Sequence, residues 1–320
     1  MRNEADDPDL HPGGWWGRLV EWSFQPRVLV TIVLAMLFVV VLPAVSKLWP
    51  SISQSPQYRF SPESIDLTEP TEWVPHGIAK QIAEEHPEWK DRSLLEDSLV
   101  ADLAAEFRKH TWIASVDRVE KTRQGRVKVI VTYRSPVAMV ETSQGLVPVD
   151  ASGVILPPED VRPSDRERLP RLKGIRTIAT GMVGRKWPDP LVTSGAKLCA
   201  ALLPKGNLDT IWKRYGLYAV VAPDMSAASP EEALQPPVFE LLTVRHRRVI
   251  WGHPPDVDSH EPSTAKKLER LAGYVKKQSS LDQPPGNLAI NIRPLTGVKL
   301  ITLGTSSLRQ TRQDAEPRER

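Results

Sequence analysis

Cysteine is nearly missing: Cys199 stands alone among 320 residues. One thiol closes no intramolecular disulfide and is too few ligands for a structural zinc site, which excludes a disulfide-stapled secreted domain. Charge of one sign is missing too. Forty-two Lys and Arg face 39 Asp and Glu, a net charge of +3. So even a balance argues against the uniformly basic surface of non-specific nucleic-acid binders, and no nucleic-acid partner is expected. Recognisable catalytic spacing is the third absence. The chain has no G-x-S-x-G elbow, P-loop, H-E-x-x-H pair or dinucleotide fingerprint. No enzymatic activity, small-molecule substrate or cofactor is expected.

Long apolar runs are scarce as well, which gives weight to the one present. Val28 to Val45 is eighteen residues without a charge, about 27 Å of helix at 1.5 Å per residue, enough to cross a hydrocarbon core of roughly 30 Å. Trp15, Trp16, Trp22 and Phe24 precede it and Trp49 follows, as interfacial aromatics do. The run is too long and too late for an ordinary secretory signal, and Ser46 to Pro50 offers no small-x-small cleavage site. A permanent anchor is expected over 27–48, after a short cytoplasmic segment 1–26. Arg2, Arg18 and Arg27 lie before it, Lys47 and Arg59 after it. That bias, with most of the chain following the anchor, predicts a single-pass protein of the cytoplasmic (inner) membrane. Its N-terminus is inside and its bulk extracytoplasmic.

The chain as a whole is 40% apolar and 25% charged, enough for a core, and its 30 prolines predict short strands and stiff connections. A stem linker is expected over 49–57. Ser93 and Glu96 read as a capping box opening a helix whose Leu95, Leu99, Leu103 and Phe107 share one stripe. An earlier helix is read over 75–85, an extended piece over 58–67, and strands over 113–121 and 126–133, with Gly125 in the turn. Val127, Val129, Val131 and Tyr133 alternate along the last of these. The order strand, helix, helix, strand, strand predicts a compact α+β module over 58–134.

From 135 to 304 strands dominate, with candidates at 137–141, 146–150, 153–156, 217–222, 238–244, 248–251, 287–292 and 298–303. Helices are expected at 190–203 and 263–277. The reading is a mostly antiparallel β domain with two helices, followed by a disordered polar tail over 305–320.

In this order the chain resembles the FtsQ/DivIB family of bacterial cell-division proteins. Trp112, Ile113, Val116 and Arg118 are similar to that family's first strand after the helices, and Val127, Val129 and Val131 to its partner. Arg134, Pro136, Val137 and Ala138 are similar to the segment joining its two domains. Leu146, Val147, Asp150, Gly153, Val154 and Ile155 resemble its hairpin, and Leu169, Pro170, Leu172 and Gly174 its Leu-Pro-x-Leu-x-Gly element. Ile250 to Gly252, Lys267, Leu268 and Ile290 to Arg293 resemble the elements near its end.

The resemblance implies a POTRA-like domain at 58–134 and an FtsQ-type β domain at 135–304. It also implies a non-catalytic scaffold of the septum-forming machinery, whose last strand accepts FtsB- and FtsL-like partners. Carried over by position, Gly297, Val298, Lys299, Leu300, Ile301 and Thr302 form the contact, because a terminal strand leaves N–H and C=O groups free for another chain. The competing reading of the same residues is a core strand paired on both sides. Rival functions are a membrane-tethered envelope hydrolase and a POTRA-containing membrane-protein assembly factor.

The other polar clusters read as ordinary surface. Gly181 and Gly184 mark a turn. His253, Asp256, Asp258 and His260 read as a solvated loop rather than a metal site, and Arg245 to Arg248 as a hairpin tip. Lys266, Lys267, Arg270, Lys276 and Lys277 read as a wet helix face, and Cys199 as a buried small hydrophobe.

Overall fold

The computed structural model of the protein describes residues 30–31, 33–41, 43, 58–179, 182–203, 211–227, 234–255 and 257–303. The expected cytoplasmic segment 1–26, stem 49–57 and tail 305–320 lie outside the described residues. Of the expected anchor 27–48, positions 30–31, 33–41 and 43 are described; all are helical and exposed. Among the described residues no helix is long and apolar enough to cross a membrane.

The first folded unit runs β1 (Ile65–Leu67), α1 (Ile78–Glu85), α2 (Ser98–Lys109), β2 (Ile113–Lys121) and β3 (Val127–Tyr133), the order expected. β3 is central, parallel to β1 and antiparallel to β2. Period-two alternation sends Val127, Val129 and Val131 to one face, and helical spacing brings Leu99, Leu103 and Phe107 to one stripe of α2; all six are buried in a shared core. Gly125, at φ 75°, makes the β2–β3 turn.

The capping box does not form. α2 begins at Ser98 behind Asp97, because both capping residues are engaged elsewhere. The Ser93 hydroxyl donates to Tyr58 O at 3.3 Å and accepts from Leu95 N–H at 3.2 Å. Glu96 takes two hydrogen bonds from Arg92, at 2.8 and 2.6 Å, and the same guanidinium reaches Asp102 at 2.7 Å. Leu95 therefore stays outside the helix and exposed.

The second unit continues with β4 (Pro136–Thr142), β5 (Gly145–Asp150), α3 (Pro163–Arg168), β6 (Arg171–Lys173) and α4 (Pro190–Ala201). Then come α5 (Trp212–Tyr215), β7 (Leu217–Val221), β8 (Phe239–Thr243), β9 (Arg248–Gly252), α6 (Thr264–Gln278), β10 (Leu288–Asn291) and β11 (Lys299–Thr302). They build one eight-stranded sheet in the order β11-β10-β9-β8-β7-β6-β4-β5. It is mixed rather than mostly antiparallel. β4–β6, β6–β7 and β9–β10 pair in parallel, since the connections between these strands carry α3, then α4 and α5, then α6, and a crossover returns the chain in its original direction. The candidate strand at 153–156 forms only isolated bridges, and β6, too short to show alternation, supplies a strand that the sequence did not single out.

The change of sheet falls between Tyr133 and Pro136. Polar contacts hold the two sheets together across it. The Trp112 indole donates to Asp160 at 2.7 Å, Arg134 donates to the buried Asp150 at 2.7 Å, and Arg162 reaches Glu72 at 3.1 Å. Hydrophobic side chains of both units form one contiguous cluster.

Phe107, fully buried against the first sheet, sets a test of this core. Phe107→Ala is expected to destabilise the fold by about 3–5 kcal/mol, read as a lowered urea midpoint.

Candidate functional site

A sheet of eight strands ends in two edges, and here the two are treated differently. At the β5 end, Pro148 lacks a donor and its carbonyl accepts Leu156 N–H at 2.9 Å, while Asp150 N–H donates to Val154 O at 3.0 Å. Residues 153–155 are covered in turn by 184–187, through Ile155 N–H to Arg185 O, Gly184 N–H to Ile155 O and Trp187 N–H to Gly153 O. Gly184 lies against Thr111 of the first unit. This edge is capped along its C-terminal half.

At the other end nothing among the described residues pairs with the outer side of β11, whose one neighbour is β10. Among the described residues β11 is thus an edge strand and is not paired on both sides. All four β11 residues are exposed, Leu300 at 45% and Ile301 at 40%. Two hydrogen bonds give the direction of the free groups. Leu303 N–H donates to Asn287 O at 3.0 Å, and Ile292 N–H donates to Ile250 O across the β9 side at 3.3 Å. Antiparallel pairs alternate between bonded and non-bonded. With Ile290 opposite Leu300 and Ala289 opposite Ile301, Lys299 and Ile301 turn their main-chain groups toward β10, and Leu300 and Thr302 turn theirs outward.

The six predicted residues therefore divide. Leu300 and Thr302 carry the open edge, and Lys299 and Ile301 bind it to the sheet. Gly297, at φ 131°, shapes the turn before the strand, and Val298 packs partly buried on the core.

The edges of the three-stranded sheet are less inviting. β1 has three residues. β2 is longer, but two register shifts break it and Asp117, Arg118, Glu120 and Lys121 stud it with charge, both of which discourage pairing with a foreign strand.

Behind β11, three basic residues read as surface are built into the structure, Arg247 and Lys267 buried and Arg270 half-buried. Arg247, 9% exposed, donates to the carbonyls of Asp282, Pro284, Gly286 and Leu288 at 2.6–3.0 Å, so it is not part of a solvated hairpin tip. Lys267, 3% exposed, binds Glu261 at 2.7 Å and lies 5.3 Å from the Trp251 ring centre. Arg270 donates to the carbonyls of Ile292, Pro294 and Leu295 at 2.8, 2.5 and 2.7 Å. Sequence alone did not flag Arg247 and Arg270 because a cation bound to carbonyls needs no acidic residue at a recognisable spacing.

Glu261 is the hub of this region. Besides Lys267 it accepts from His253 N–H at 2.9 Å and from Arg293 at 2.5 Å. Gly252, at φ 99°, clears the space, since a Cβ there would meet the carboxylate at 2.0 Å. Burial opposes ionisation of Glu261, but the bonds from Lys267, His253 N–H and Arg293 outweigh it and hold the carboxyl below its usual range. The His253 ring lies 3.5 Å from Glu261, so this residue is drawn into an ionic network rather than left in a solvated loop. Asp256 lies outside the described residues, among which no His, Cys, Asp and Glu group forms a metal-binding cluster. Cys199 is buried, and burial pushes its thiol far above the ordinary range.

No family model matches the chain, and no curated protein matches it.

The ionised Glu261 sets a pH dependence. A carboxyl whose pKa is lower folded than unfolded adds stability above the unfolded value, near 4.5, and loses it as pH falls through the folded one. Denaturant midpoints compared at pH 7 and pH 3 are expected to fall less in Glu261→Gln than in the parent protein.

Proposed function

We propose that this chain is a membrane-anchored scaffold of the bacterial septum-forming machinery, of the FtsQ/DivIB kind, that recruits partner division proteins by accepting a strand on β11. The observation that carries the proposal is the outer side of β11, where Leu300 and Thr302 present unpaired main-chain groups beside exposed apolar side chains. An incoming strand completes those hydrogen bonds and covers Leu300 and Ile301, which is how β-augmentation combines affinity with selectivity. The order β1-α1-α2-β2-β3 with β3 central supports the POTRA-like reading of the first unit, and the eight-stranded sheet supports the FtsQ-type reading of the second.

The anchor reading rests on composition and exposure together. Large apolar side chains from Val30 to Val41 are 44–69% exposed on the helical run. A helix apolar on all sides needs an apolar surrounding, and a bilayer supplies one. Tethering then confines the edge and its partners to one membrane surface, which raises their effective concentration and lets a short strand suffice. FtsB- and FtsL-like proteins are the partners that the resemblance names.

Leu300→Pro removes an N–H aimed at the partner and leaves those aimed at β10. It is expected to abolish co-purification of FtsB- and FtsL-like proteins while the far-UV circular dichroism and the membrane fraction stay as in the parent. Undiminished recovery of those partners contradicts strand addition at β11. A fluorescent fusion is expected to form a band at the constriction site; uniform envelope staining favours the hydrolase or assembly-factor alternatives.

A further inference from the structure

β11 presents a physical problem apart from what it binds. Four residues, all exposed and, among the described residues, paired with a single neighbour, form the kind of short terminal strand that frays, because ordering the chain is offset by few main-chain bonds and only partial burial, with Leu300 and Ile301 45% and 40% exposed. Proteins ordinarily solve this by packing a helix over such a strand, but that would cover the faces of Leu300 and Ile301.

The solution visible here acts at the two ends of the strand. Before β11, the turn from Ile292 to Val298 is gripped by Arg270 of α6, whose guanidinium takes the carbonyls of Ile292, Pro294 and Leu295. α6 is itself fixed to the sheet, since Lys267 is buried against Trp251 and binds Glu261, which also holds Arg293 of the same turn. After β11, the Asn287 side chain donates to Leu303 O at 2.5 Å, beside the main-chain bond from Leu303 to Asn287. A planar guanidinium suits the first role because its several donors are fixed relative to one another, so three carbonyls held by it are also held in one mutual arrangement.

We infer that Arg270 and Asn287 are positioning residues that pin β11 at its two ends where burial is only partial, keeping the strand in register while no described residue pairs with its outer edge. Only the purpose of the exposed edge rests on the proposed scaffold role; the pinning does not.

The test is amide hydrogen exchange on the full-length protein in lipid nanodiscs, for Arg270→Ala, Arg270→Lys and Asn287→Ala. Ile301 N–H, which faces β10, reports on the register, and Leu241 in β8 reports on the fold as a whole. In Arg270→Ala and Asn287→Ala, exchange at Ile301 is expected to rise at least about tenfold, as when a hydrogen bond to a charged or buried group is lost, with Leu241 unchanged. Arg270→Lys, which keeps the charge but not the planar fork, is expected to fall between parent and Ala and serves if the Ala variant does not fold. Unchanged exchange at Ile301, or an equal rise at Leu241, overturns the inference. If Ile301 frays while partner recovery is undiminished, the pinning stands and strand addition fails.

Discussion

Every main-chain N–H and C=O must find a partner, and a sheet of finite width always leaves two rows of them to be dealt with. Much of the second unit follows from how this protein treats those rows. At β5 a proline removes a donor, the 153–156 segment folds back, and 184–187 covers that segment before Gly184 meets Thr111. The same stretch of structure thus closes one edge and contributes to the seam with the first unit. At β11 none of these devices is present among the described residues, and the groups of Leu300 and Thr302 are left to water or to another chain.

Leaving an edge open shifts the work of stabilising it onto residues behind and beside it. Buried and half-buried cations do much of that work in this half of the molecule. Arg247 gathers four carbonyls from the 282–288 segment leading into β10, Arg270 gathers three from the turn leaving it, and Lys267 joins α6 to the Glu261 hub. A buried charge needs full compensation, which ties these residues to one arrangement of the loops around them. Gly252 belongs to the same scheme, since the Glu261 carboxylate occupies the space of its missing side chain.

Legibility in the sequence followed the range of the interactions. Val127, Val129 and Val131, or Leu99, Leu103 and Phe107, announce their faces because local periodicity and burial agree, and the helices at α4 and α6 were found within two residues at each end. The α2 start was misplaced because Arg92, which binds the Glu96 carboxylate, and Tyr58 O, which accepts from the Ser93 hydroxyl, lie outside the four-residue pattern. β6 and the parallel pairings depend on which distant strands become neighbours. The β11 strand was read from the residues and its partner-contact role from resemblance, but which of its residues face outward came only from the register, since a shift of one residue would exchange Leu300 with Ile301. Arg247, Lys267 and Arg270 were misread for a related reason: composition marks them as surface, and their carbonyl and carboxylate partners are supplied by distant loops.

The account comes down to whether the outer groups of β11 are free in the protein alone and bonded in its complex. Residue-resolved amide exchange at Leu300 and Thr302 measures this, on full-length protein in nanodiscs, alone and as the complex purified with the proposed partners. The account predicts rapid exchange at both amides in the free protein and strong protection in the complex. Protection already present in the free protein, or exchange unaltered in the complex, would contradict it.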